Sequence, residues 1–190
     1  MIIIHIDTTE DTFDLNRCYN GLRGIFLYNP TRDAVDLALR EHPMDTVMLL
    51  GHGSRDGLFG YEPGTMAIDK DNVNLLFGRP VIGIWCFASE FADRYNLIGF
   101  FTSMFISNMS EALMFRLDQN DNGTLNDDTI VEENRRFGDE INQMIRTNAP
   151  VCRWPLLLQE GCHREIPFVR FNYECLYSNV DPDFVISDYV

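Results

Sequence analysis

The chain has 190 residues, of which 29 are Asp or Glu and 15 are Lys or Arg, so its formal net charge at pH 7 is −14. This acidic balance excludes a nucleic-acid binder that works through a basic surface. With 45% hydrophobic and 12% aromatic residues, the composition is that of a packed globular protein and excludes a charge-extended disordered chain. The length predicts a single domain over residues 1–190.

The cysteines and the apolar segments indicate the cellular compartment. Five cysteines stand at irregular spacings, an odd number that does not suggest a disulfide framework. The first seven residues have neither a basic segment nor a long apolar segment, so we predict no secretory signal. The longest mostly apolar run, residues 97–106, is about half the length of a membrane-spanning helix. We therefore expect a cytoplasmic protein with reduced thiols and no membrane partner.

Apolar blocks alternate with amphipathic stretches along most of the chain. Strands are predicted at 1–6, 24–28, 46–50, 80–85 and 99–106, with a strand-like alternation at 168–177. Helices are predicted at 31–40, 71–77, 89–96, 110–117 and 127–147. This alternation predicts an α/β three-layer sandwich, in which a mostly parallel central sheet carries helices on both faces. Residues 1–149 would form the core sheet and helices, and residues 150–190 follow a less regular pattern.

Two local patterns give more detailed expectations. Thr31 is the predicted N-cap of helix 31–40, and Ala34, Leu37 and Ala38 fall on one face at the spacing i, i+3, i+4. Glycines at 57, 60 and 64 predict a loop region that can include a small hairpin.

Two of the predicted strands end in residues that can carry out chemistry. Residues 46–50 lead into Gly51-His52-Gly53, and residues 80–85 lead into Cys86. In parallel sheets ligands bind at the carboxyl ends of the strands, and the 34 positions between His52 and Cys86 allow one right-handed crossover. An imidazole can raise the thiolate fraction of a thiol and later protonate a leaving amine, while the N–H groups of Gly53 and Cys86 could stabilise an oxyanion. The pattern predicts cysteine-dependent acyl transfer.

These blocks resemble the caspase-like cysteine peptidases, the family of the caspases, metacaspases and CHAT domains. In that family an apolar strand is followed by His-Gly, and a second apolar strand ends in the nucleophilic Cys. Here the two blocks read Val-Met-Leu-Leu-Gly-His-Gly at 47–53 and Val-Ile-Gly-Ile-Trp-Cys at 81–86, and residues 102–112 look like the next strand and helix start of CHAT-type members. The resemblance covers residues 45–117 and is poor over 150–190. It implies a caspase-like thiol protease, an endopeptidase that acts on a protein or peptide through a Cys-His dyad without a cofactor.

The chain departs from the family at the substrate-binding positions. Ile84 stands two residues before Cys86, where many metacaspases have an acidic residue that helps a pocket hold Arg or Lys. We take Asp7, at the end of the first strand, as the first candidate for binding the substrate residue before the scissile bond, and the acidic loop 10–14 as the next. If the protein is an enzyme, the pKa of Cys86 should be lowered, and Cys86 should alkylate faster than the other four cysteines.

Two other functions stay open at this point. One is a non-catalytic caspase-fold module that binds a partner or regulates an active relative, which the poorly matching residues 150–190 would suit. The other is a hydrolase or transferase that uses the same dyad on a non-peptide acyl group. The pattern is silent on the oligomeric state.

Two segments were considered as metal sites. Residues 118–129 match the calcium-loop pattern at positions 1, 3, 5 and 6, but Thr129 stands at position 12 in place of a bidentate Glu, which favours a solvated turn or at most weak calcium binding. Cys152, Cys162, His163 and Cys175 lack the close Cys pairs of structural zinc sites. We therefore expect no metal and no other cofactor.

Overall fold

The structure, a computed structural model, describes residues 1–120 and 123–186. Its strands are β1 (Ile2–His5), β2 (Ile25–Tyr28), β3 (Val47–Leu50), β4 (Gly53–Ser54), β5 (Gly57–Phe59), β6 (Met66–Ile68), β7 (Pro80–Ile84), β8 (Ile98–Phe101), β9 (Gln119–Asn120), β10 (Gly123–Thr124) and β11 (Tyr177–Ser178). Its α-helices are α1 (Glu10–Phe13), α2 (Arg32–Glu41), α3 (Ala88–Tyr95), α4 (Met109–Met114), α5 (Asp127–Arg146), α6 (Trp154–Gly161) and α7 (Pro167–Glu174). Short 3₁₀ turns lie at Asp14–Tyr19, Val73–Leu76 and Val151–Arg153.

Six of the strands form one central sheet in the spatial order β2-β1-β3-β7-β8-β11. The first five of these strands are parallel, and β11 pairs with β8 in the antiparallel direction. Strands β4, β5 and β6 form a small antiparallel sheet after β3, where the glycines predicted a loop with a hairpin. The prediction of an α/β fold with a mostly parallel sheet is confirmed.

Helices cover both faces of the central sheet. Ile2 and Ile4 of β1 point to the face covered by α2 and α3, whereas Ile3 points to the face covered by α4 to α7. Because both faces are buried, the strands are apolar at successive positions and do not alternate between apolar and polar residues. This burial explains why the strands were the clearest signal in the sequence.

In α2 the predicted cap is confirmed, but the predicted buried face is wrong. The hydroxyl of Thr31 accepts a hydrogen bond from the N–H of Ala34 at 3.3 Å. The buried side chains are Val35, Ala38 and Leu39, whereas Leu37 is 57% exposed. The same i, i+3, i+4 spacing therefore starts one residue later, where it buries a larger aliphatic surface against the sheet.

The strand-like alternation at 168–177 was also misleading, since most of this segment is helix α7. Its buried residues are Phe168, Val169, Asn172 and Tyr173, which have a helical period and pack against the α5 side of the core. Pro167 occupies the first helical turn, where the missing N–H of proline costs nothing.

Three smaller differences concern segment type and length. Helix α6 was not predicted, the predicted helix 71–77 is a 3₁₀ turn at Val73–Leu76, and β8 ends at Phe101, five residues before the predicted end. Among the helices of the described residues, none has the length and apolar character that crossing a membrane requires.

Candidate active site

His52 and Cys86 lie at the carboxyl ends of neighbouring parallel strands. In the pairing of β3 with β7, Leu50 is opposite Ile84, so each of the two residues stands two positions beyond the same paired position. The N–H of Gly51 donates to the carbonyl oxygen of Ile84 at 3.2 Å and extends this pairing by one residue. Both side chains line the same two cavities at this edge of the sheet. His52 and Cys86 therefore lie at the same edge of the sheet and line the same cavities.

The histidine segment, residues 51–53, is held by close backbone contacts. Gly51 has φ +146°, and a Cβ atom there would lie 2.6 Å from the carbonyl oxygen of Ile6. A Cβ atom on Gly53 would lie 2.2 Å from Cδ1 of Trp85. The carbonyl oxygen of His52 accepts a hydrogen bond from the N–H of Phe59 at 2.9 Å. The two glycines allow the backbone on either side of His52 to pack directly against Ile6 and against the indole of Trp85.

The cysteine segment, residues 85–87, is fixed by hydrogen bonds to the loop after β8. The hydroxyl of Thr102 accepts from the N–H of Trp85 at 3.1 Å and donates to the carbonyl oxygen of Trp85 at 2.8 Å. Phe87, in the left-handed conformation with φ +68°, donates its N–H to the carbonyl oxygen of Ser103 at 3.0 Å. Within the part of the chain that the structure describes, the N–H of Cys86 has no acceptor. It is a free donor at the predicted oxyanion position.

Thr9 is a site residue that the sequence analysis did not identify. Its hydroxyl oxygen lies 2.8 Å from Nε2 of the His52 ring, at hydrogen-bond distance. Thr9 occupies the N-cap position of α1, yet its hydroxyl makes no capping bond to that helix. The sequence does show a threonine in the loop that follows the first strand. That first strand pairs with β3, which leads to His52.

His5 anchors α1 from inside the protein. This histidine is 1% exposed, its Nε2 lies 2.8 Å from the carbonyl oxygen of Thr12, and its Nδ1 lies 2.9 Å from the hydroxyl of Tyr19. Burial lowers the pKa of His5, so the ring is neutral, with Nε2–H donating to Thr12 and Nδ1 accepting from Tyr19. These bonds keep α1, and with it Thr9, beside the site.

The thiol of Cys86 is held in a protonated state. Its Sγ lies 3.6 Å from the carbonyl oxygen of Phe105, and burial raises its pKa to about 11, with the charge of Glu111 acting in the same direction. Among the described residues, no hydrogen bond joins His52 to Cys86. The expectation of a lowered pKa at Cys86 is therefore wrong for this geometry.

Two cavities open beside the pair. The smaller, of about 40 Å³, is lined by Asp11, Thr12, Asp14, Leu15, Gly51, His52, Ile84, Trp85, Cys86, Phe105, Ser107 and Asn134. The larger is an open cleft of about 1060 Å³ whose walls include Asp7, His52, Gly53, Tyr61, Cys86, Phe87, Met104 and Glu111. The larger cleft has room for an extended peptide.

The structure separates the predicted substrate-binding residues. The carboxylate of Asp7 lies at the larger cleft, where the hydroxyls of Tyr28 and Thr12 donate to it, the latter at 3.0 Å. Ile84 is buried and forms part of the wall of the smaller cavity. The acidic loop 10–14 contributes Asp11 and Asp14 to that same cavity. The role of these residues in binding substrate stays a prediction.

The structure describes part of the two segments considered as metal sites. The predicted calcium loop includes residues 121 and 122, which lie outside the described residues, and Asn126 caps α5 by accepting from the N–H of Thr129 at 2.8 Å. His163 is at hydrogen-bond distance from Glu133 and Arg136, 2.6 Å and 2.7 Å, and all five cysteines are free thiols. Over residues 1–120 and 123–186, no group of three or more His, Cys, Asp or Glu is placed to hold a metal ion.

Comparison of the chain with protein-family models, with curated proteins and with solved structures finds no significant match.

Proposed function

We propose that this protein is a caspase-like cysteine endopeptidase in which Cys86 is the nucleophile and His52 the general acid and base. The observation that carries the proposal is the placement of both side chains on the walls of the same two cavities, at the ends of neighbouring parallel strands. Ligand sites in sheets of this type lie at that edge. The His-Gly and Cys blocks in adjacent strands also agree with the resemblance drawn from the sequence.

Acylation follows from the positions of these groups. His52 takes the proton of the Cys86 thiol as the sulfur attacks the carbonyl carbon of the scissile bond, so that a carbon–sulfur bond forms. The free N–H of Cys86, together with that of Gly53, would donate to the oxyanion. The carbon–nitrogen bond then breaks, and His52 returns its proton to the leaving amine.

Hydrolysis of the thioester uses the same groups in reverse. His52 removes a proton from water as the water oxygen attacks the thioester carbonyl carbon. The carbon–sulfur bond breaks, the carboxylic acid leaves, and the Cys86 thiolate recovers the proton from His52. The cycle needs no cofactor.

Thr9 has a supporting part in this mechanism. A catalytic imidazole is normally oriented by a third group that bonds the ring nitrogen turned away from the nucleophile. The hydroxyl of Thr9, 2.8 Å from Nε2, is in place to do this. Thr9 is a positioning residue, since it acts through His52.

A panel of acyloxymethyl ketone probes tests the proposal directly. These reagents alkylate a nucleophilic cysteine when the protein binds the peptide that the probe carries. We expect at least one probe to label the wild-type protein at Cys86 under reducing conditions, with or without added calcium. Labelling should be absent in Cys86→Ala and retained in the matched variant Cys152→Ala, which removes a thiol far from the site. Peptide mapping by mass spectrometry locates the adduct. Failure of every probe to modify Cys86 would contradict the proposal.

Two observations favour a second function, that of a non-catalytic module of the same fold. The Cys86 thiol has a raised pKa, and the His52 ring bonds Thr9 and not the sulfur. A module would show equal probe reactivity at Cys86 and at the other four cysteines. A dyad that acts on a non-peptide acyl group would instead be labelled but would hydrolyse small thioesters and no peptide from a diverse library.

A further inference from the structure

The smaller cavity beside Cys86 offers little space. Its volume is about 40 Å³, and one water molecule needs roughly 10–15 Å³ of such space. The cavity therefore takes about three non-hydrogen atoms. The side chains of alanine, serine and threonine fit within this limit, whereas those of leucine, phenylalanine and arginine exceed it.

The walls of this cavity belong to the packed core, which fixes its size. Ile84 is 2% exposed and Phe105 is 8% exposed. The ring of Phe105 packs on that of Phe137 in α5, with 4.8 Å between the ring centroids, and the half-buried Leu15 packs against the same core cluster. A close-packed interior resists the displacement of its side chains. A long substrate side chain therefore cannot enlarge the cavity without disturbing the core.

Two carboxylates at the cavity add a requirement on charge. Asp11 and Asp14 both line it, and Asp14 is paired with Nε of Arg135 at 2.9 Å. The carboxylate of Asp11 accepts a hydrogen bond from the side-chain amide of Asn108 at 2.8 Å. Because a carboxylate has several acceptor positions, Asp11 can also accept from a small hydroxyl group. The two carboxylates disfavour an acidic side chain through repulsion between like charges.

The two cavities suit different parts of a peptide. His52 and Cys86 line both of them, but only the larger cleft, of about 1060 Å³, has room for peptide backbone. In the proposed reaction the sulfur of Cys86 attacks the carbonyl carbon of the residue on the acyl side of the scissile bond. The side chain of that residue starts one bond from the attacked carbon's neighbour, so it is the side chain that enters a cavity beside the sulfur.

We propose that the substrate residue on the acyl side of the scissile bond has a small, uncharged side chain, that of Ala, Ser or Thr, which occupies the smaller cavity. The inference rests on the proposed peptidase function, since it names the substrate class of that site. Leu15, Ile84 and Phe105 set the size limit. This substrate class differs from the basic residues for which many metacaspases use an acidic residue at the position of Ile84.

Fluorogenic peptides that differ only at this residue test the assignment. The set contains Ala, Ser, Thr, Leu, Phe, Arg and Asp. Steric exclusion from a pocket of fixed size predicts that kcat/KM for Ala, Ser and Thr exceeds that for each of the other four by roughly 10- to 200-fold.

Enlarging the cavity should relax this preference. Leu15→Ala removes a wall side chain that is only half-buried, and it should raise kcat/KM for the Leu peptide by roughly tenfold while the Ala peptide stays within about threefold of wild type. The matched control is Leu157→Ala, a half-buried leucine on the same core cluster that does not line this cavity. It should keep the wild-type ranking of peptides. Thermal unfolding verifies that both variants are folded.

The outcomes separate the size preference from the peptidase function. Wild-type cleavage that is fastest after Leu, Phe, Arg or Asp would overturn the inference and leave the peptidase intact. An unchanged ratio of Leu to Ala cleavage in folded Leu15→Ala would overturn it as well. Acyloxymethyl ketones with Ala or Arg at the same residue give a second readout, and labelling of Cys86 by the Arg reagent as fast as by the Ala reagent would again overturn the inference alone. If neither peptides nor reagents react at Cys86, the proposed function and the inference fall together.

Discussion

The histidine segment and the cysteine segment meet at one edge of the sheet but are held by different kinds of contact. Residues 85–87 are fixed by hydrogen bonds to Thr102 and Ser103, which are largely buried. Residues 51–53 are fixed by glycine backbone that packs closely on neighbouring groups. The His52 ring itself depends on one exposed hydrogen bond to Thr9, a residue 43 positions away in the chain.

This difference indicates where the site is rigid and where it adjusts. The cysteine segment presents a preformed backbone, with no acceptor for the N–H of Cys86 among the described residues, but burial raises the pKa of its thiol to about 11. In the proposed mechanism the histidine segment supplies the base, and its ring has to reach the sulfur through Nδ1 while Nε2 keeps its contact with Thr9. Activity should therefore be most sensitive to the imidazole, then to the packing between the segments, and least to the single hydroxyl that orients the ring.

The largest effect is expected from removing the imidazole. His52→Ala should lower kcat by about 10²- to 10⁴-fold, since a positioned acid and base contributes that much to acyl transfer. The control His42→Ala changes a histidine at the end of α2, remote from the cavities, and should leave kcat unchanged. Steady-state cleavage of the best peptide measures both variants. Similar activity of His52→Ala and wild type would remove His52 from the mechanism.

The pKa of Cys86 predicts a steep pH dependence of its reaction with a small reagent. Iodoacetamide reacts with the thiolate, and the raised pKa, about 11, keeps the thiolate fraction small near neutrality. The rate at Cys86 should rise by roughly tenfold per pH unit between pH 7 and 10, where an unperturbed thiol of pKa about 8.5 already levels off. Quantitative mass spectrometry of the labelled peptide gives this rate. A plateau below pH 8 would mean that the thiol is already activated in the resting protein.

The packing between the segments is tested at Gly53. A methyl group there would lie 2.2 Å from Cδ1 of Trp85, so the indole has to move. We expect Gly53→Ala to lower the free energy of unfolding by about 1–3 kcal/mol and to reduce activity, as overpacked sites do. Gly161→Ala is the matched control, because its added Cβ comes no closer than 3.5 Å to a neighbour, Oε1 of Glu140. Chemical denaturation measures the free energy of unfolding of both variants. Equal values for Gly53→Ala and Gly161→Ala would contradict the close contact of Gly53 with Trp85.

The smallest effect is expected from the residue that orients the ring. Thr9→Val keeps the shape of the side chain and removes the hydroxyl, so kcat should fall by roughly fivefold, the value of one ordinary hydrogen bond. Thr9→Ser restores the hydroxyl and should recover most of the activity. The pH profile of kcat/KM should shift in the valine variant and not in the serine variant. An unchanged pH profile in Thr9→Val would mean that Thr9 does not act on His52.

The sequence alone was sufficient for the central strands and for the position of His52 and Cys86 at one edge of the sheet. Continuous apolar blocks at 1–6, 46–50 and 80–85 have few alternatives to a buried strand, because a strand covered on both faces needs apolar residues at successive positions. The parallel direction then follows from the crossover segments, and it puts both strand ends on one edge. This reasoning uses only the order of residues along the chain.

Other features were decided by the tertiary structure. The formation of helix α7 and the choice of the buried face of α2 depend on the neighbouring surface against which each helix packs. The spacing of apolar residues within each segment does not specify that surface. The contact of Thr9 with His52 and the raised pKa of Cys86 arise from groups that are distant in the chain. Hydrogen bonds and burial set the charge state of a side chain, and both exist only once these distant segments are packed together. The residue types of the candidate site could thus be predicted from the sequence, whereas the protonation of Cys86 and the hydrogen bond of the His52 ring depend on the tertiary structure.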